Sequence, residues 1–138
     1  MRGASATESL LERIRPSSLR VLVVWEPILP TDWEPPTTAA LARIHGPRVA
    51  QFWDKHHLVA KAIGEELNSD PNGPKPSCCM ARGLFLFGKG SLWDLAVIFP
   101  KQAVWHGRAP QALFANGPVA DVQPRLRRKL GALLGHAN

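Results

Sequence analysis

One short run, Leu19–Trp25, constrains the fold of this chain more than any other feature. The run is apolar, rich in β-branched side chains and too short for a buried helix, so it reads as a buried strand. Glu26 and Pro27 end it, and prolines at 30, 35 and 36 make the following stretch a rigid loop. Such a strand needs sheet partners and covering helices, which points to an α/β domain.

The rest of the chain supplies those elements. Residues 1–18 read as a flexible leader, with a short helix through Ser9–Ile14 stopped by Pro16, and residues 19–138 as one domain. Thr37 or Thr38 is expected to cap a short helix through Leu41 and Ile44, ended by Gly46 and Pro47. Arg48–Trp53 alternates as a second strand would. Asp54 then caps a helix from Lys55 to about Leu67, with Leu58, Ala62, Ile63 and Leu67 on its apolar stripe. After an irregular turn over 68–77, a strand is expected from Trp93 to Phe99, cut by Pro100. Asn116-Gly117 reads as a tight hairpin turn between two apolar runs. A helix over 124–134 closes the chain, with Leu126, Leu130, Leu133 and Leu134 on one side and Arg125, Arg128 and Lys129 on the other. Two helix-linked strands followed by a hairpin predict a mixed sheet covered by helices.

The net charge of +6 raises a nucleic-acid reading. Its distribution counts against one: outside Arg125–Lys129 the basic residues are scattered, and no RNA-binding aromatic motif or zinc-finger spacing accompanies them. No apolar run reaches the length of a membrane helix, and Met1–Glu12 lacks the apolar stretch of a secretory signal. The expectation is a cytoplasmic protein with neither a nucleic-acid nor a membrane partner; oligomeric state is not readable.

The chain's two cysteines, Cys78 and Cys79, are adjacent. With Ser77 capping a helical turn and Lys75 and Arg82 close by, their thiols would gain thiolate character, the form that attacks disulfides and binds soft metals. A disulfide between neighbours distorts the intervening peptide, which suits a reducible switch better than a staple. Three readings stay open: a redox pair with Cys78 as the nucleophile, a thiolate pair for copper(I) or mercury(II), or two small buried residues leading into the Met80–Phe87 run. His56 and His57 are the obvious further ligands, but successive helical residues point about 100° apart. With no Cys-x-x-Cys or His-x-x-x-His spacing, no metal site and no cofactor are expected, and the histidines are placed near the surface at a helix start. A second candidate site is the proline-held loop Trp25–Pro36, where Glu26, Asp32 and Glu34 lie beside Trp25 and Trp33. Glu26, directly after the strand, is expected to be partly buried with a raised pKa.

Particular residues carry a family likeness. Val21–Pro27 resembles the first core strand of thioredoxins, which also ends in tryptophan before the active-site turn. Ala109-Pro110, an apolar run and Asn116-Gly117 resemble that family's cis-proline strand and hairpin, and Arg125–Leu134 its last helix. The chain is similar to the divergent thioredoxin-like proteins of bacteria over residues 19–135. The resemblance implies a single-domain three-layer sandwich, a mixed central sheet with helices on both faces. It also implies that Pro110 faces the loop after Trp25, where the family holds extended substrate. Glu26–Pro30 stands in place of the cysteine-containing turn, so the standard dithiol exchange is not available there and enzymatic activity is left open. The expected function is thiol redox through Cys78 and Cys79, on a protein or thiol partner. The alternatives are a non-catalytic peptide-binding module built on Trp25, Glu26, Pro27 and Pro110, and soft-metal capture by the vicinal thiols.

The redox reading predicts that a thiol reagent labels Cys78 in the folded protein with an apparent pKa below the roughly 8.5 of a free thiol. Labelling that begins only on unfolding would make both cysteines core residues.

Overall fold

The computed structural model describes residues 2–14, 18–28, 33–76, 92 and 94–135. Among these the protein is a mixed α/β chain of four helices and two small sheets, in the order α1 (Arg2–Arg13), β1 (Val21–Trp25), α2 (Thr38–Leu41), β2 (Val49–Trp53), α3 (Leu58–Ser69), β3 (Ala96–Ile98), β4 (Phe114–Asn116) and α4 (Val119–Leu133). No described helix is long and apolar enough to cross a membrane.

β1 and β2 run parallel, in register from Val21 opposite Val49 to Trp25 opposite Trp53. Parallel neighbours need a long crossover, and here it contains α2. Thr37 caps α2, its Oγ1 accepting the Ala40 N–H at 3.3 Å. Gln51 fastens the crossover to the strands: its Nε2 donates to the carbonyls of Leu41 and Ile44, at 2.9 and 2.7 Å. Its Oε1 accepts the indole N–H of Trp25 at 2.8 Å. The alternate face, with Leu22 and Phe52, is open to solvent.

β3 and β4 pair antiparallel, Val97 opposite Ala115. Both faces of this ribbon are packed, and period-2 alternation decides which residues go where. Ala96, Ile98 and Phe114 meet Leu10 and Ile14 of the N-terminal segment and Val119, Leu126 and Leu130 of α4. Leu95, Val97, Phe99 and Ala115 meet Ile63 and Leu67 of α3. One continuous central sheet was expected; the described strands instead form two separate pairs.

Four other expectations read differently in the structure. The stretch taken as a leader is helical from Arg2 to Arg13, and Leu10 and Ile14 are core residues. Asn116-Gly117 is not a hairpin turn, because β4 ends there and α4 starts at Val119. The reason is periodic: Val119, Val122, Leu126 and Leu130 fall on one helical stripe and are all buried, and this burial carries the helix past Pro124. The cis peptide bond among the described residues is Gly117–Pro118, and Ala109–Pro110 is trans. The expected strand from Trp93 shortens to Ala96–Ile98, Trp93 lying outside the described residues.

Polar ties hold α1 in place. Gln123 of α4 donates from Nε2 to the Ala6 carbonyl at 2.9 Å. Arg48, at the entrance to β2, donates to the carbonyls of Ile14 (2.7 Å) and Leu11 (3.1 Å), which the helix end leaves without intrahelical donors. Gly3 approaches Asp94 so closely that a β-carbon there would overlap the carboxylate.

Arg48→Met keeps the apolar stem and removes both donors, so it should destabilise the protein by about 1–3 kcal/mol in urea denaturation, with α1 amides losing hydrogen-exchange protection first. Unchanged protection of α1 would mean that its packing on α4 suffices.

Candidate functional site

In-register pairing brings the two strand ends level, and each strand ends in a tryptophan followed by an acid: Trp25-Glu26 and Trp53-Asp54. The Asp54 N–H extends the ladder by one bond, to the Trp25 carbonyl at 2.8 Å. Two carboxyl groups therefore leave the carboxyl edge of a parallel pair together, where open α/β sheets place their ligands.

Asp54 is buried and turns toward α3, its Oδ2 accepting the Val59 N–H at 2.7 Å. The sequence suggested a helix starting at Lys55 directly after an Asp54 cap; the helix instead starts at Leu58 with His57 at the cap position, and Asp54 satisfies its Val59 N–H from across the intervening turn. The intervening turn ends at His57, which is left-handed with φ 56° and ψ 29°. That conformation is uncommon outside glycine, although histidine enters it more readily than most side chains do. The consequence is directional. His57 turns back to Glu26, with Nδ1 at 3.0 Å from Oε2.

Glu26 is 8 % exposed and His57 19 %. Burial pushes the Glu26 carboxyl above its ordinary value of 4.5, and the negative charge of Asp54 pushes the same way. The hydrogen bond and charge of His57 and the N–H of Ala60 act in the opposite direction and do not cancel the rise. The result is a carboxyl that keeps its proton to higher pH than usual while hydrogen-bonded to an imidazole. Such a couple can pass a proton in either direction. Among the described residues, no three His, Cys, Asp or Glu side chains converge as metal ligands.

The residues proposed from sequence divide. Trp25, Glu26 and Pro27 are together at the end of β1, with Pro27 buried and Trp33 beyond them 65 % exposed. Pro110 does not join them. Its neighbour Gln111 donates from Nε2 to Asp70 Oδ2 at 2.8 Å, and Ala112 packs on Leu67. Both anchors lie at the C-terminal end of α3, whereas Glu26 meets Ala60 near its start, about 15 Å away along the axis at 1.5 Å per residue. The Gln111 amide and the Asn72 N–H hold the Asp70 carboxyl below its ordinary value and fasten this loop. Cys78 and Cys79 lie outside the described residues. The residue that sequence reasoning missed as a partner of Glu26 is His57. The available signal was the repeated tryptophan-acid pair at the two strand ends, which sets Glu26 beside the turn carrying His57.

No protein family, characterised protein or solved structure matches the chain.

The raised Glu26 value fixes the sign of a pH effect. Below about pH 4.5 the carboxyl is protonated in both folded and unfolded chains and stability does not change through it. As pH rises the unfolded chain loses this proton first, so stability falls until the folded carboxyl also ionises. Glu26→Gln cannot ionise, so in urea titrations its stability relative to the parent should rise as the pH is raised above about 4.5, until the folded carboxyl has ionised as well. A difference that is flat, or that falls, would show a carboxyl ionised at ordinary pH.

Proposed function

We propose that this protein is a thioredoxin-like α/β protein whose working site is the carboxyl edge of β1 and β2, with Glu26 exchanging a proton with a bound ligand. The observation that carries the reading is the 3.0 Å contact between Glu26 Oε2 and His57 Nδ1, made by a carboxyl 8 % exposed. The three-layer scaffold is supported by the element order, by a parallel pair followed by an antiparallel pair, and by helices on both faces of β3–β4. On that scaffold Glu26 stands where the resemblance puts a cysteine turn. The edge then does acid–base chemistry: Glu26 donates, His57 holds the proton or returns it, and Asp54 favours the protonated acid while capping α3.

A second reading rests on one observation of the sequence, the adjacency of Cys78 and Cys79. In it the thiols carry redox chemistry with a protein or thiol partner. The labelling experiment on Cys78 separates it from the first reading.

Small-molecule libraries screened by amide NMR, with Ala60 and Lys61 as reporters, test the proposal. Ligands at this edge should take up or release a proton on binding, measured by calorimetry in buffers of different ionisation heat. Glu26→Gln should abolish that linkage. His57→Asn, which suits the left-handed backbone but has no imidazole, should shift its pH midpoint. Binding at the edge with no proton linkage would make the site a holder of partners rather than a proton donor.

A further inference from the structure

A cleft of about 210 Å³ lies between α1 and α4, remote in sequence from the Glu26 edge. Its floor is Leu10, 4 % exposed, and one wall is the ring of Pro124, which has no N–H to offer. The carboxamide of Gln123 is fixed beside them by its bond to the Ala6 carbonyl. Two guanidinium groups complete the lining, Arg13 from α1 and Arg127 from α4, and no acid is among the lining residues.

The disposition of charge is unusual for this surface. The obvious task for Arg13, at the end of α1, is to bond the last carbonyls of its own helix. Arg48 does that instead, occupying the Leu11 and Ile14 carbonyls. Arg13 and Arg127 have no hydrogen-bond or ion-pair partner among the described residues. Both arginines are exposed, and with no partner among the described residues their two charges border one surface depression, where an anion would be attracted by both. The planar guanidinium group suits carboxylates and phosphates, which it binds through paired N–H donors. The volume is below the roughly 300–1,000 Å³ of sites for drug-sized ligands, so the occupant is small.

We infer that the α1–α4 cleft binds a small organic acid, its oxyanion held by Arg13 and Arg127 and its compact apolar body resting on Leu10 and Pro124. The site is independent of the Glu26 edge and of what that edge does.

Benzoate, phenyl phosphate, inorganic phosphate and uncharged benzamide serve as probes, with the amides of Leu10 and Gln123 observed by NMR on the full chain. Benzoate or phenyl phosphate should give saturable shifts with millimolar or tighter affinity, and the better of the two identifies the head group. Inorganic phosphate, with a head and no body, should bind about tenfold more weakly, as should the organic acid at high salt. Arg13→Gln and Arg127→Gln should each weaken binding about tenfold, and the double variant should abolish it. Arg127→Lys should keep part of the affinity, and an unchanged circular dichroism spectrum of the double variant separates loss of binding from loss of fold. The inference is overturned if no probe saturates, if benzamide binds as well as benzoate, if inorganic phosphate binds as well as the organic acids, or if a folded double variant binds like the parent.

Discussion

The register of β1 against β2 is the constraint on which the candidate site rests. Trp25 stands opposite Trp53, so the two acids that follow, Glu26 and Asp54, leave the sheet side by side. A slip of one residue would turn every side chain of one strand to the other face and would carry Gln51 away from Trp25, Leu41 and Ile44. Those three bonds from one amide side chain therefore report and hold the register. The turn after Trp53 then has a fixed starting point, and the left-handed His57 delivers its imidazole to Glu26 from it.

The electrostatics of the edge follow from competition between two carboxyl groups for the start of α3. Asp54 takes the Val59 N–H, where a helix N-terminus stabilises negative charge. Glu26 accepts the Ala60 N–H of the same turn, but burial and the negative charge of Asp54 outweigh that bond and the imidazole of His57, and its proton is held more tightly for that reason. Two acids in one site thus acquire different tasks from their surroundings alone.

Much of the element order was legible in the sequence because short β-branched runs and helical stripes are local patterns. The first strand, the strand ending at Trp53, the Thr37 cap and α3 all follow from such patterns, and Glu26 was marked by its place after that first strand, which was expected to be buried although none of its residues is. The failures were of tertiary origin. Asn116-Gly117 has the composition of a hairpin turn, but Val119 and Val122 gain more by joining the stripe of Leu126 and Leu130 against the N-terminal segment. Met1–Glu12 looked polar because half of an amphipathic helix is polar; its buried residues appear as a face only once α4 is present. Pro110 was tied to the Trp25 loop by resemblance, and Gln111 shows why neighbours in a family pattern need not be neighbours here. His57 could not be assigned from the His56-His57 pair, since backbone handedness, invisible in composition, selects which ring turns inward.

The tie between α1 and α4 also sets a temporal order. Gln123 reaches Ala6 across 117 positions, and Leu10 and Ile14 find their apolar neighbours mostly in Val119–Leu130. A helix of twelve residues is marginal in water by itself. During synthesis α1 therefore waits, with its apolar stripe uncovered, until α4 has been made. α1 is thus secured only once α4 exists, long after its own residues have been joined.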